Sequence, residues 1–181
     1  MKTKIRILIV EDSKVDALLN TRDLERAGYD VTSERVETES ALEQALRQKG
    51  WDAVLCDYTM PQFSGKAALR IVREADADLP FIYVSGTIGE DVAVEALKSG
   101  ANNYVLKTKL IRLVPAVERE LRDAKLRRDH RILEADRQKL IVELTVAMQR
   151  VKQLTGIVAI CAGCKKIRNE RSEWQRVEVY V

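Results

Sequence analysis

Residues whose side chains can handle phosphate or metal ions recur directly after apolar runs of the sequence. Glu11 and Asp12 follow the first such run, Asp57 follows another, and Ser85 and Lys107 end two more. A carboxylate can attack phosphorus and form an aspartyl phosphate. Neighbouring carboxylates suit Mg²⁺, which prefers hard oxygen ligands, and an ammonium can pair with phosphoryl oxygens. These residue types together predict phosphoryl transfer to a carboxylate.

The apolar runs before these residues are predicted to be strands that alternate with helices. We predict strands near 5–10, 31–36, 52–56, 80–85 and 103–107, and helices near 14–27, 38–49, 65–75, 89–99 and from Leu110 onward. This alternation predicts a parallel sheet with helices on both faces. Ligands of such sheets bind outside the carboxyl ends of the strands. We therefore expect the acids, the hydroxyl and the amine to converge at one edge.

The first predicted helix has an apolar side. Val15, Leu18, Leu19 and Leu24 recur at helical spacing within residues 14–27. Such spacing is typical of the face that a helix buries against its sheet. We therefore place these four residues on the apolar side of an amphipathic helix.

The helix that starts near Leu110 is predicted to continue to about residue 155. Apolar residues recur every seven positions in its second half, with two more at interleaved positions: Leu126, Leu133, Leu140, Ala147 and Leu154, with Leu144 and Val151. A 4–3 spacing is typical of a coiled coil. We predict a homodimer through this helix. The alternative is that the helix packs on its own domain, but a helix of about 45 residues would be longer than a domain is wide.

Composition supports a division into parts. The 181 residues suffice for one well-cored domain and an extension. We predict domain boundaries at 1–122, 123–155 and 156–181. Residues 1–110 carry a net charge of −3 and residues 111–181 a net charge of +6. Basic residues alternate with acids along the helix, which favours a solvated surface over a nucleic-acid interface.

The sequence predicts a cytoplasmic protein without a membrane segment. No apolar run approaches the roughly 18 residues of a membrane span. The first apolar run is too short for a signal peptide, and no small-residue cleavage site follows it. The three cysteines do not form the pattern of a disulfide framework.

Four motifs carry a resemblance to a known family. They are "VED" at 10–12, "DYTMP" at 57–61 with Gly65 behind it, "SGT" at 85–87 and "YVLK" at 104–107. In this order and spacing they resemble the receiver domain of bacterial two-component response regulators, over roughly residues 4–122. The resemblance implies a flavodoxin-like, doubly wound, five-stranded parallel sheet of (βα)5 type, whose last helix here extends into the predicted coiled coil.

The resemblance also implies roles for the residues at the strand ends. Asp57 would take a phosphoryl group from a sensor histidine kinase, with Lys107 beside it. Mg²⁺ would be held by Glu11, Asp12, Asp57 and the backbone carbonyl of Thr59. Beyond its own phosphorylation and dephosphorylation, the chain would not be an enzyme.

Ser85 and Tyr104 would be the switch pair of such a domain. In the family, the hydroxyl moves toward the phosphoryl group and the aromatic ring changes rotamer. Two positions depart from the family pattern. Thr108 follows the lysine, where proline is usual, which predicts a looser loop. Gly86 replaces a more usual alanine, which predicts more room at the site.

Cys161 and Cys164 form a CxxC pair in the C-terminal segment. Two cysteines are half of a tetrahedral zinc site, and His130 lies too far upstream to be a good third ligand. The segment resembles a short cysteine-bearing module that follows receiver and sensor domains in some bacterial signalling proteins. Reduced thiols are the favoured interpretation, and a metal shared between two chains is the alternative.

The sequence thus predicts a response regulator that signals through its switch face and a dimeric helix. One alternative is a phosphate relay or sink without its own output. Another is a regulator that binds a partner or nucleic acid through its basic tail. A nucleotide or flavin binder is disfavoured, because the acidic stretch "VEDSKVD" follows the first strand where a glycine-rich loop would be needed.

Overall fold

A five-stranded parallel sheet forms the centre of the protein. The computed structural model describes residues 2–48, 50–86, 90–154, 160–168 and 174–176. The strands are β1 (Thr3–Val10), β2 (Tyr29–Val36), β3 (Ala53–Cys56), β4 (Phe81–Ser85) and β5 (Asn103–Leu106). Their order in the sheet is β2-β1-β3-β4-β5, and each neighbouring pair is parallel. The predicted doubly wound, flavodoxin-like fold is confirmed.

Helices follow the strands in the predicted alternation. They are α1 (Lys14–Arg26), α2 (Glu39–Arg47), α3 (Gly65–Ala75), α4 (Glu90–Lys98) and α5 (Leu113–Leu154), with a 3₁₀ helix at Lys107–Arg112. Ser13, Thr38 and Ser64 cap the first three helices, because each side-chain oxygen accepts a hydrogen bond from the backbone N–H three residues later. Such caps satisfy donors that have no partner within the helix.

Alternating strand residues build one core layer on each face of the sheet. Leu8, Val54 and Phe81 face a layer that includes buried residues of α2 and α3. Ile7 and Leu55 face the opposite layer, which includes buried residues of α1 and α5. Successive side chains of a strand point to opposite faces. A strand such as β3, in which all four residues are buried, is therefore held rigidly on both sides.

The buried side of α1 differs from the prediction. Val15 and Leu18 are 67% and 50% exposed, and Leu19 is also exposed. The buried residues of the helix are Ala17, Asn20 and Leu24, which recur at helical spacing. Of the four residues on the predicted apolar side, only Leu24 lies on this buried face, and Val15, Leu18 and Leu19 lie on the solvent side.

The chain divides into two compact units, Met1–Arg131 and Ile132–Val181. In the first unit, Leu113, Val117 and Ala124 of α5 are buried. In the second unit, Leu133 and Leu140 are among the exposed apolar residues of the same helix. The long C-terminal helix is confirmed. The coiled coil and the division at 122 and 155 remain predictions.

The second unit also contains a small antiparallel pair of strands. Strand β6 (Ile167–Arg168) pairs with β7 (Trp174–Gln175), and Ile160 forms a bridge with Ile167. Among the described residues, no helix is both long enough and apolar enough to cross a membrane.

Gly65 is the point of closest approach between α3 and the loop after β3. An added Cβ would lie 2.8 Å from the Asp57 carbonyl oxygen and 2.8 Å from Tyr83 Cε1. We expect Gly65→Ala to lower the free energy of unfolding by about 1–3 kcal/mol, because overpacking forces the backbone to shift. Urea unfolding followed by circular dichroism measures this change.

Gly86→Ala is the matched control for this substitution. Its added Cβ would meet only Lys107 Cδ, at 3.9 Å, so it should cost no more than about 0.5 kcal/mol. Equal stability of the two variants would show that the contacts around Gly65 are not tight.

Candidate functional site

Three carboxylates meet at the carboxyl edge of the sheet. Glu11 and Asp12 directly follow β1, and Asp57 directly follows the neighbouring strand β3. One oxygen from each lies within 4.8 Å of the others. Glu11 and Asp57 are buried, whereas Asp12 is exposed. The structure therefore brings these three predicted residues together.

Lys107 reaches this cluster from the end of β5. Its Nζ lies 2.7 Å from Asp57 Oδ2 and 2.9 Å from Glu11 Oε2. It also lies 2.5 Å from Asp16 Oδ2. An ammonium has three protons to donate, and here it contacts three carboxylates. This arrangement offsets the repulsion between acids that lie so close together.

Asp16 is a member of the site that the sequence interpretation missed. It lies in the first turn of α1, where its backbone N–H donates to Ser13 Oγ at 3.3 Å. An acid in this position is commonly explained by the partial positive charge of a helix N-terminus, which hides any second role. The position of Asp16 in the sequence could have indicated its role. The helix begins two residues after Asp12, so its first turn lies at the same edge of the sheet as Asp57.

Backbone contacts fix the orientation of the acids. Thr59 N–H donates to Asp57 Oδ1 at 3.1 Å, and Asp57 N–H donates to the Val10 carbonyl at 2.9 Å. Ser13 N–H donates to Glu11 Oε1 at 3.2 Å. Thr59 thus touches Asp57 through its N–H, and the metal-binding role of its carbonyl remains a prediction.

Glu11 is poised between its charged and neutral forms. Burial is the largest influence, and it raises the pKa of Glu11 to about 7, against the opposing effects of Lys107 and the Ser13 N–H. Its Oε2 forms an ion pair with Lys107 Nζ at 2.9 Å. This buried carboxylate oxygen therefore already interacts with a cation.

Lys107 remains charged in this environment. Partial burial alone would lower the pKa of its ammonium. The contacts with Asp16, Asp57 and Glu11 outweigh burial and raise that pKa well above its usual value. The ammonium is therefore a permanent positive charge beside Asp57 at neutral pH.

Ser85 and Tyr104 lie on the neighbouring strands β4 and β5. Ser85 is buried at the end of β4. Tyr104 is half-buried, and its hydroxyl is buried without a hydrogen-bond partner among the described residues. Burial raises the pKa of Tyr104, and Ser85 partly opposes this effect. Thr87, the last residue of the predicted "SGT" motif, lies outside the described residues.

Comparison with known proteins identifies a family and several proteins that match residues of the first unit. Residues 7–118 match the family described as the response regulator receiver domain. The transcriptional regulatory protein YkoG of Bacillus subtilis is 36% identical over 104 residues, which are 58% of this chain and 45% of YkoG. This chain therefore spans less than half the length of YkoG. The chemotaxis protein CheY of Thermotoga maritima is 29% identical over 102 residues, which are 56% of this chain and 84% of CheY.

A solved structure agrees with the sequence relatives. The crystal structure of a response regulator receiver domain protein from Clostridium thermocellum superposes with a TM-score of 0.59 at 26% identity. The match covers 67% of this chain and 98% of that one. The residues of the family match, 7–118, include Glu11, Asp12, Asp57 and Lys107.

The raised pKa of Glu11 predicts how divalent cations bind. Below a pH of about 7, a proton on Glu11 must leave before a cation can bind. The affinity for Mg²⁺ should therefore fall about tenfold for each pH unit below this value and level off above it. Isothermal titration calorimetry with Mg²⁺ at a series of pH values measures the dependence.

Glu11→Gln is the control for this titration. The variant should bind Mg²⁺ more weakly, with no change of affinity as the pH passes through the pKa of Glu11. Equal affinity of the wild type one pH unit below and one above that value would contradict the assignment.

Proposed function

The chain belongs to the response regulator receiver domain family, and from that membership we propose that it accepts a phosphoryl group on Asp57 from a sensor histidine kinase. Membership in this family implies two-component signalling. The contact between Lys107 Nζ and Asp57 Oδ2, at 2.7 Å inside an acidic cluster, is the observation that carries the proposal. It pairs a candidate nucleophile with a fixed charge for the incoming phosphoryl oxygens.

Mg²⁺ is the proposed cofactor, and the donor set fits it. Glu11, Asp12 and Asp57 provide hard carboxylate oxygens within 4.8 Å of one another, and the carbonyl of Thr59 would be a further ligand. Bound there, Mg²⁺ would neutralise charge shared by the carboxylates and the phosphoryl oxygens. The ion pair between Glu11 Oε2 and Lys107 supports this assignment, because that oxygen already interacts with a cation.

The chain's own residues hold the nucleophile and receive the transferred group. The Thr59 N–H and Lys107 fix the Asp57 carboxylate by one contact on each oxygen. A carboxylate oxygen forms the new bond to phosphorus as the bond from phosphorus to the donor breaks. Lys107 then shifts from the carboxylate to the phosphoryl oxygens. The chain would catalyse only this transfer and the later hydrolysis of the aspartyl phosphate, in which water takes the phosphoryl group and the carboxylate of Asp57 is restored.

The switch proposal concerns Ser85 and Tyr104. The Ser85 hydroxyl would move to donate a hydrogen bond to the phosphoryl group. Tyr104 would follow by a change of rotamer. The Ser85 side chain is close enough to Tyr104 to oppose the effect of burial on the Tyr104 pKa, so a movement of Ser85 would change the surroundings of the ring. Phosphorylation would thus shift a two-state equilibrium.

Helix α1 offers a docking surface for the kinase. Val15, Leu18 and Leu19 are exposed on this helix, which begins two residues after Asp12. An apolar patch beside the phosphorylation site would let a partner bury these side chains while its phosphohistidine reaches Asp57. We propose a cytoplasmic location, because the kinase would draw on cytoplasmic ATP.

The second half of α5 is the proposed dimer interface and route of output. Leu133, Leu140 and Leu144 are exposed at the predicted inner positions of the coiled coil. Each apolar side chain of this size gains roughly 1.5–3 kcal/mol when it is fully buried. Exposure of these three leucines in one chain favours their burial against a second copy. In this proposal, residues 1–122 are the receiver and residues 123–155 the dimerising helix.

Phosphorylation is tested first with a small-molecule donor. Acetyl phosphate with Mg²⁺ should add the mass of one phosphoryl group to the wild type, because Asp57 is the nucleophile. Asp57→Asn should show no gain, whereas the surface control Asp23→Asn should behave as the wild type. Mass spectrometry of the intact chain measures the gain. An equal gain in Asp57→Asn would refute the assignment and, with it, the relay alternative.

The dimer is tested by light scattering after size exclusion. The wild type should be a dimer, and the double variant Leu140→Glu/Leu144→Glu should be a monomer, because charges cannot be buried at the inner positions. Lys139→Glu, a charge change outside those positions, should remain a dimer. Beryllofluoride with Mg²⁺ should change the elution of the wild type but not of Asp57→Asn. A monomeric wild type under both conditions would overturn the dimer proposal.

A further inference from the structure

A turn in the second unit presents two free cysteines outside any hydrophobic core. Cys164 is exposed and Cys161 is partly exposed, in contrast to Cys56, which is buried in β3. Free cysteines are among the most buried residues of proteins. Packing therefore does not explain why two cysteines lie on one exposed turn, and a chemical role is the better explanation.

The backbone closes this turn without help from the sulfur atoms. Cys161 N–H donates to the Lys166 carbonyl at 2.8 Å, and Lys165 N–H donates to the Cys161 carbonyl at 2.9 Å. The flanking residues Ile160 and Ile167 form an antiparallel bridge. Lys165 has a φ of 54°, a left-handed conformation that costs a residue with a side chain of order 1–3 kcal/mol. The tight turn therefore forms at a cost in free energy. Neither thiol takes part in the backbone hydrogen bonds that close it.

The placement of the two cysteines suits a pair of metal ligands. They are separated by two residues on one turn, and both are at least partly exposed, whereas Cys56 is buried in β3. Structural zinc sites commonly take two of their ligands from cysteines at this spacing. A thiolate is the form of cysteine that binds metal.

We propose that Cys161 and Cys164 are thiolate ligands of a Zn²⁺ ion that two copies of this chain share. Soft sulfur ligands favour Zn²⁺ over Mg²⁺. A structural zinc site takes four ligands at the corners of a tetrahedron, and one turn supplies two of them. The same two cysteines of a second copy would supply the other two.

The completion of the site rests on the dimer described under the proposed function. In a parallel two-stranded coiled coil, equivalent residues of the two helices lie side by side. The exposed leucines of α5 and the cysteine turn belong to the same compact unit of the chain. Pairing of the helices would therefore bring together the two turns that follow them.

The charges beside the turn suit such a site. Four thiolates and one Zn²⁺ carry a net charge of −2. Lys165 and Lys166 directly follow Cys164, and Arg168 lies in the adjoining strand. Opposite charges nearby favour the charged form of a group, so these side chains would stabilise the anionic complex.

Co²⁺ is a suitable probe, because its absorption reports both ligand type and geometry. The full-length protein, reduced and freed of metal, is titrated with Co²⁺ under anaerobic conditions. We expect sulfur-to-cobalt charge transfer and the intense visible bands of a tetrahedral site, with an endpoint at one Co²⁺ per two chains. Added Zn²⁺ should abolish both signals. Co²⁺ bound by the oxygens of Glu11, Asp12 and Asp57 gives no sulfur band, so the two sites are distinguished.

Variants separate the turn from the third cysteine. Cys161→Ser and Cys164→Ser should each lose at least half of the sulfur band, because each removes two of the four thiolates of the shared site, whereas Cys56→Ala should keep the whole band. No sulfur band in the wild type, or an unchanged band in Cys161→Ser, would overturn the site. An endpoint at one Co²⁺ per chain would overturn the sharing between copies. Acetyl phosphate should still modify Cys161→Ser, so a failure of this proposal differs from a failure at Asp57.

Discussion

The ion pairs of Lys107 are the contacts on which the acidic edge depends. Its ammonium touches Asp57, Glu11 and Asp16 within 2.5–2.9 Å. Carboxylates packed this closely repel one another, and burial adds the cost of removing charge from water. One fixed cation offsets both effects. It also ties β5 to the ends of β1 and β3 and to the start of α1, so the strand that carries Tyr104 is linked directly to Asp57.

The rest of the first unit can be understood as the support for this arrangement. Strand β3 is buried on both faces and fixes Asp57, while the capped start of α1 fixes Asp16. Gly65 allows α3 to begin against the backbone of Asp57. The carboxylates at this edge are therefore held by rigid strands and a capped helix, and they are charge-compensated by a single side chain, Lys107.

The second unit differs from the first in the side chains that it exposes. Its helix exposes apolar residues that a monomer would normally bury, and its turn exposes thiols that a core would normally cover. The proposed pairing of two copies would bury the exposed leucines, and the proposed metal site would use the exposed thiols.

The sequence by itself determined the order of strands and helices, the family, and the gathering of Glu11, Asp12 and Asp57 at one edge. It could do so because long apolar runs and capping residues act locally, and because parallel strands must end on the same side. Only the tertiary structure decided which side of α1 faces the sheet, since Val15, Leu18 and Leu24 are equally apolar in sequence. It also decided the place of Asp16 beside Lys107, which lies 91 residues away in the chain. Contacts across that distance depend on how helices pack, and no local pattern encodes them.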